Sequence, residues 1–474
     1  MKILDVRLEE ITLENFKNVR YGKISLDMKK SNTQSDIVGV YGQNGSGKTA
    51  LIEALSLLKI LLCGKQMNKK FVEFISKEDK QAVLTFIFCV IDRNTNIETK
   101  VKYNVCIGKV EDFQDGNISG IVSDDLNVSY IPAVIRETLS IQIIESGVIK
   151  QKMMPYIDTE SISVPFTPLS RYKELINQDK SINDNLMLSK KIAMLSSRAF
   201  IFSRELINTF RRNYTNSDFM KIYESLIYYG NFRLFIYGTN NAAMLNLDIL
   251  PLPFNLKTGS SKVNGNIAIP INGNGLIPET AYDLAVKLID NMNIVLKEIV
   301  PNLTISIGKL GEELSENSEK LFKVQLFSNK NSQPIPLSYE SEGIKKIFSI
   351  LQLLINVYNR YSFTVAIDEL DSGIFEYLLG ELLSIISNKG KGQLIFTSHN
   401  LRPLETLDKS CIVFTSTNSF NRYVRPTYIK ATNNLRDYYY RDIALGEQTE
   451  EVYDMTNNAD IAFAFREAGE FCGS

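Results

Sequence analysis

The chain has 474 residues with 53 basic and 54 acidic side chains, a net charge of −1, which argues against a strongly basic surface built for constitutive nucleic-acid binding but leaves room for a local patch. The longest apolar stretch, Leu51 to Cys63, is interrupted by Glu53 and Lys59, and Met1-Lys2-Ile3-Leu4-Asp5-Val6-Arg7 lacks an apolar export core, so neither a membrane span nor a signal peptide is expected. Five cysteines without Cys-x-x-Cys spacing, beside one histidine, argue against zinc and for reduced thiols in the cytoplasm, and the length suits two structural units.

In chain order, strands are predicted at about 3–13 and 22–27, then an apolar strand at 37–41 that runs into Gly42-Gln43-Asn44-Gly45-Ser46-Gly47-Lys48-Thr49 and a helix from about 48 to 62. Strand, Gly-rich loop and helix in that order make a P-loop. Backbone N–H groups of Asn44, Gly45, Ser46 and Gly47 are placed to curl around phosphates, Lys48 to reach the β- and γ-phosphate oxygens, and the Thr49 hydroxyl to ligate Mg²⁺, so ATP and Mg²⁺ are the expected ligands.

Alternating strands are predicted in 82–90 and 100–107, and the pattern then changes. Leu188, Ile192, Leu195, Ala199, Phe202, Leu206 and Phe210 recur every three or four positions, which predicts one amphipathic helix closed by Arg211-Arg212; Phe219, Ile222, Leu226 and Tyr229 predict a second. Ordinary core packing is the commoner meaning of such stripes, a partner groove the rarer one. The Gly/Asn/Ser-rich stretch from Thr258 to Gly275 reads as a turn-rich connector with a short hairpin, after which Pro278 starts a helix.

Phe363-Thr364-Val365-Ala366-Ile367-Asp368-Glu369 is an apolar strand delivering two carboxylates at its C-terminal end, where open α/β sheets place their ligands. This is a Walker B strand: Asp368 is assigned to the Mg²⁺ shell and Glu369 to the water that attacks the γ-phosphate. A third apolar strand, Gln393 to Thr397, leads to Ser398-His399-Asn400 and the chain's one histidine, and Cys411–Thr415 is the expected last strand. In the tail, Asn434 to Arg441 interleaves aromatic and basic residues. That pattern is more often the amphipathic face of a terminal helix than a nucleic-acid contact.

Together these residues resemble the ABC-type ATPases, in particular the branch of SMC, RecF and RecN proteins, over about 1–105 and 278–430. The element that decides the resemblance is Leu337-Ser338-Tyr339-Glu340-Ser341-Glu342-Gly343-Ile344-Lys345-Lys346, similar to that superfamily's signature loop and standing about 27 residues before Asp368. The resemblance implies that Ser341, Glu342 and Gly343 contact the nucleotide of another copy, that Asp371 is the D-loop aspartate, and that His399 is the γ-phosphate-sensing switch. Ile11 to Asn18 looks like the branch's opening strand, which implies adenine contacts for Phe16, Lys17 and Asn18.

About 290 residues separate Lys48 from Ser341, so something sizeable interrupts the ATPase. The expected fold is α/β: an ABC-type head, a mixed sheet with flanking helices, divided into an N-terminal lobe (1–107), a mainly helical insertion (108–277), a C-terminal lobe (278–430) and a helical tail (431–474). Within the branch the motifs resemble the prokaryotic antiphage-defence ATPases, of the Septu, Abi-L and overcoming-lysogenization types. Many of these carry a histidine shortly after the D-loop aspartate, where this chain has Ile374-Phe375. The resemblance implies a homodimer, or a higher assembly of dimers, that hydrolyses ATP through Lys48, Glu369 and His399. It would sense a trigger and control a nuclease or toxin supplied in trans, since the tail has little room for an effector. The alternatives are a repair ATPase that clamps DNA directly and a nucleotide-gated scaffold with negligible turnover.

Overall fold

The computed structural model describes residues 3–26, 35–76, 78–112, 129–176, 180–213, 218–238, 249–258, 261–330, 333–426, 435–445, 450–453 and 457–472. Its first lobe holds β1 (Asp5–Phe16), β2 (Val19–Ser25), β3 (Asp36–Tyr41), α1 (Lys48–Leu62), β4 (Gln81–Asp92) and β5 (Ile97–Glu111). Next come β6 (Tyr130–Glu145), β7 (Val148–Asp158), α2 (Leu169–Ile176), α3 (Lys180–Leu195), α4 (Arg204–Asn213), α5 (Asp218–Phe232) and β8 (Leu234–Tyr237). The strands β9 (Ile249–Thr258), β10 (Ser261–Pro270) and β11 (Asn274–Pro278) precede α6 (Glu279–Ile299), β12 (Leu303–Leu314), β13 (Lys320–Lys330) and β14 (Gln333–Pro336). The rest is α7 (Glu342–Asn359), β15 (Thr364–Ile367), α8 (Glu376–Lys389), β16 (Gln393–Thr397), α9 (Arg402–Thr406), β17 (Ile412–Thr415), β18 (Tyr423–Val424), α10 (Leu435–Leu445) and α11 (Asn458–Cys472).

Two six-stranded sheets organise the molecule. One is antiparallel, in the order β2-β1-β4-β5-β6-β7, and the other runs β18-β17-β3-β16-β15-β8, parallel except for β18. The strands β15, β16, β17 and β8 are buried at every position, as expected where both faces of a parallel sheet are covered, and this is why they read as unbroken apolar runs. Between the sheets lies α1, buried along nearly its whole length; side chains from β1, β4, β5, α5 and the near face of the parallel sheet share one core with it. On the other face α6, α7 and α8 pack with β9 to β13 into a second core. The α/β class and the mixed architecture read from the sequence are those of the structure.

The organisation of the middle of the chain differs from expectation. The span 108–277 is mixed rather than mainly helical, and its edges fall inside strands: β5 runs to Glu111 and pairs with β6, while β11 runs to Pro278. Strands β6 and β7 extend the antiparallel sheet and β8 completes the parallel one beside β15, so the span is built into both main sheets. The expected single helix through 188–210 is two, α3 and α4. Ser197 in the left-handed region (φ 56°) ends α3, and Ser203 caps α4 by accepting from Leu206 N at 3.3 Å. Between them the amides of Phe200 and Ile201 donate to the buried carboxylate of Glu137 on β6, at 2.7 and 3.0 Å, instead of to a helical carbonyl. The apolar period therefore continued through a segment whose hydrogen bonds are made elsewhere. Ser261 to Pro270, expected in a connector, is the second strand of a β9–β10 hairpin, and the expected division at 430 lies outside the described residues.

In the tail, Leu435 and Tyr439 are buried, Tyr439 stacks on Phe414 with centroids 4.9 Å apart, and Arg436 pairs with Glu405. These contacts make α10 an amphipathic helix docked on the sheet. Asn434 lies outside the described residues. Among the described residues no helix is long and apolar enough to cross a membrane.

Candidate nucleotide site

The P-loop leaves the C-terminal end of β3 and turns into α1 through three glycines at positive φ: Gly42 (154°), Gly45 (77°) and Gly47 (98°). Gly42 admits no side chain, since a Cβ there would lie 1.8 Å from Thr415 Oγ1, whereas one on Gly45 would meet nothing within 4 Å. The tight glycine is braced by protein and the open one faces unfilled space, as a loop that wraps a phosphate requires. Lys48 Nζ donates to the Gly42 and Gln43 carbonyls at 2.7 and 2.9 Å, and burial lowers its pKa against the opposing pull of Asp368, Glu369 and Asp371. Thr49 is half-buried on the first turn of α1, and Asn44 is exposed.

Asp368 emerges buried from β15, its Oδ1 accepting from the Thr397 hydroxyl at 2.6 Å. The same Thr397 oxygen accepts from Glu369 N at 2.7 Å, so one residue of β16 orients both acidic positions. Glu369 has a left-handed backbone (φ 48°), unusual for a residue with a side chain, and projects an exposed carboxylate. Its carbonyl accepts from Lys346 Nζ of α7, a buried amine whose pKa desolvation lowers to about 8 against the pull of Asp371, Glu369 and Asp368. Asp371 accepts through Oδ2 from the backbone N–H groups of His399 (3.1 Å) and Asn400 (3.0 Å), tying the D-loop position to the switch position; its Oδ1 is buried without a hydrogen-bond partner among the described residues. The exposed His399 borders a cavity of about 460 Å³ also lined by Tyr377, Arg402, Glu405, Arg436 and Tyr440.

The signature positions sit at the start of α7. Ser341 caps the helix, accepting from Ile344 N at 3.4 Å, and both it and Glu342 are exposed. Gly343 is required by contact: a Cβ there would lie 2.1 Å from the carbonyl oxygen of Gly373, in the turn just after Asp371.

The adenine assignment of Phe16 needs correction. Phe16 is fully buried, its ring edge-on to Phe74 at 5.8 Å, so it packs in the core and does not face a nucleotide. Lys17 is ion-paired to Glu53 of α1, and the exposed Asn18 donates its side-chain amide to the Gly45 carbonyl of the loop. Sequence reasoning missed four more supports. Thr415 takes the Ser46 hydroxyl at 2.5 Å; Tyr423 donates to the Gly47 carbonyl at 2.8 Å; Arg422 donates to the Asn18 carbonyl at 2.7 Å; and Thr397 orients Asp368 and Glu369 as described. Thr397 could have been found from its place beside Ser398-His399, whereas Arg422 and Tyr423 sit in a two-stranded return with no motif of their own.

Residues 10–225 match a family model described as an AAA domain. The P-loop at 42–49 lies within this AAA-like span. No curated protein matches it. Among solved structures, the chain is similar to the SMC head domain from Thermotoga maritima (13% identity, 89% of this chain and 99% of that one, TM-score 0.33). It is also similar to the Smc head with an extended coiled coil, bound to the C-terminal domain of ScpA, from Pyrococcus furiosus (12%, 92% and 100%, 0.38), and to the recombination mediator RecF with ATP (13%, 83% and 94%, 0.34).

Proposed function

We propose that the chain is an ATPase of ABC type that closes as a homodimer on two ATP molecules and, through hydrolysis, controls a separate nuclease or toxin in antiphage defence. The observation that carries the ATPase reading is the convergence, at one edge of the parallel sheet, of the glycine cradle, Lys48, the buried Asp368 and the exposed Glu369. Lys48 neutralises phosphate charge, and the pinned turn holds the Glu369 carboxylate where a water can be oriented for in-line attack. Thr49 and Asp368 fit a Mg²⁺ ion, a hydroxyl and a buried carboxylate at one loop end, and Mg²⁺ would supply charge neutralisation on the phosphates.

Dimerisation rests on the outward-facing signature turn: Ser341 and Glu342 are exposed at a helix N-terminus, a place suited to an anion, and Asp371 Oδ1 is buried with a lone pair to satisfy. An effector in trans fits the exposed apolar row Leu188, Ile192 and Leu195 along α3, spaced i, i+4, i+7, which does not serve the core as the sequence pattern suggested. Beside it lies a cavity of about 800 Å³ lined by Ile192, Phe202, Arg204 and Arg211, at the far end of α1 from the P-loop. The defence assignment is supported by the resemblance of Ser341-Glu342-Gly343 and Ser398-His399-Asn400 to that set of ATPases.

The test is Ser341→Arg. With a bulky cation in place of a donor aimed at the partner's ATP, the variant should bind nucleotide as the wild type does but fail to dimerise with ATP, and turnover should fall by roughly 100-fold. Mixed with Lys48→Ala, it should regain at most one site per dimer, where an intact Lys48 faces an intact Ser341. Normal ATP-dependent dimerisation and turnover by Ser341→Arg would remove the composite site. Strong stimulation of wild-type turnover by DNA would favour a DNA-clamping repair ATPase instead.

A further inference from the structure

The P-loop assignment explains Lys48 but not another buried lysine at the same edge. Lys346 is 3% exposed, five positions after Ser341 on the same helix, and its amine is spent on a backbone oxygen, the carbonyl of Glu369. Burying an ammonium group costs several kcal/mol unless it is well partnered, so a lysine kept here for packing alone would be better replaced by an apolar side chain. Its target is the one strained backbone position in the Walker B turn. The left-handed Glu369 is held on one side by its N–H to Thr397 Oγ1 (2.7 Å) and on the other by its carbonyl, which accepts from Ser372 N (3.1 Å) and from Lys346. Of these holds, only Lys346 comes from α7. The first turn of α7 also has no slack against the D-loop turn, because Gly343 meets Gly373 at backbone distance.

We infer that Lys346 is a positioning residue that ties the signature helix to the backbone of Glu369, so that engagement of the Ser341 end of α7 by a partner's nucleotide aligns the water-activating carboxylate of the same chain. The inference rests on the ATPase reading given above. Lys346 touches neither nucleotide nor water: it fixes where Glu369 points. Movement of α7 is transmitted through two rigid contacts, Gly343 on Gly373 and Lys346 on the Glu369 carbonyl. Each chain thereby reads the occupancy of its partner's site before its own hydrolysis proceeds.

The experiment compares steady-state ATP turnover and nucleotide affinity in full-length wild type, Lys346→Met and Lys346→Arg, with thermal midpoints recorded alongside. Removing the donor at constant length should lower kcat about tenfold or more while leaving KM and ATP affinity within about twofold, because the lost interaction serves alignment and not binding. Lys346→Arg, which keeps a charged donor, should recover kcat to within about threefold of wild type. Lys346→Leu, which also lacks a donor, replaces Lys346→Met if the latter does not fold, and is held to the same outcome. An unchanged kcat in the donor-less variant overturns the inference, as does a rise in KM at constant kcat, or an Arg variant as slow as the Met one despite a wild-type thermal midpoint. Absence of turnover by the wild type would instead fail the ATPase reading itself.

Discussion

Lys48→Ala is expected to abolish ATP binding, while Glu369→Gln keeps it and traps a closed dimer. Hydrogen bonds from a charged group contribute about 1.5–3 kcal/mol each, so losing the phosphate contacts of Lys48 should weaken binding by roughly 100-fold or more. A second effect adds to this. Asp368, Glu369 and Asp371 all act electrostatically on Lys48, and without its charge they would face the triphosphate uncompensated. Glu369→Gln differs because the turn does not depend on the side chain: its N–H is held by Thr397 and its carbonyl by Ser372 and Lys346, while the carboxylate is exposed. Binding should be preserved, and turnover should fall by about 100-fold to 10,000-fold, the usual worth of a positioned base. Isothermal titration with ATP, and gel filtration with and without it, check both. Equal affinity in wild type and Lys48→Ala would sink the P-loop assignment.

The parts of this site legible in the sequence are those whose chemistry forces a residue type at a fixed spacing. Gly42, Gly45 and Gly47 are needed for backbone conformation, and Lys48 and Thr49 follow them because the helix start fixes their place. Asp368 and Glu369 were readable because a strand buried on both faces must be apolar up to the point where it meets the ligand edge. The supports were not readable, since a hydroxyl or guanidinium bonding a backbone carbonyl leaves no periodic trace; Arg422 reaches back to Asn18 across some 400 positions. Phe16 was misplaced for the opposite reason. Its neighbours Lys17 and Asn18 do lie at the loop, but Asn15 and Lys17, both in the left-handed region, break the strand's alternation, and Phe16 between them packs in the core. The middle of the chain was misjudged because an apolar period shows that a face is covered, not what covers it. The row Leu188, Ile192, Leu195 is exposed, while Leu186 and Ala193 on the same helix are buried.

That misjudgement reverses an expectation about the middle span. Judged from the motifs, all of which lie outside it, replacing residues 110–275 with a short flexible linker should keep ATP binding and destroy only biological output. The structure predicts a misfolded, aggregating product that does not bind ATP. The deletion removes β8, the parallel neighbour of β15, whose register runs from Thr364↔Leu234 to Ile367↔Tyr237 and whose last carbonyl, on Tyr237, accepts from Asp368 N at 2.8 Å. It also takes away the Leu234 carbonyl that receives the buried Lys59 amine, and the Tyr229 hydroxyl donated to Thr364 at 2.7 Å. Phe219, Tyr223, Leu226 and Tyr229 of α5 are all buried against α1 and the antiparallel sheet. At about 1.5–3 kcal/mol for each large apolar side chain, these four alone stand for roughly 6–12 kcal/mol, comparable to the whole stability of a typical domain. An exposed β15 edge would then invite pairing between chains. Partner recognition is better separated from folding by the triple change Leu188→Asp, Ile192→Asp and Leu195→Asp, at side chains already 57%, 54% and 51% exposed. This variant should fold, bind and turn over ATP within about twofold of wild type, since surface substitutions seldom cost more than about 0.5 kcal/mol, and lose biological output. Circular dichroism, gel filtration and ATP titration distinguish the cases. A monodisperse deletion that still binds ATP would mean that the span is a separable recognition module, and a triple variant with full output would mean that the α3 row contacts no effector.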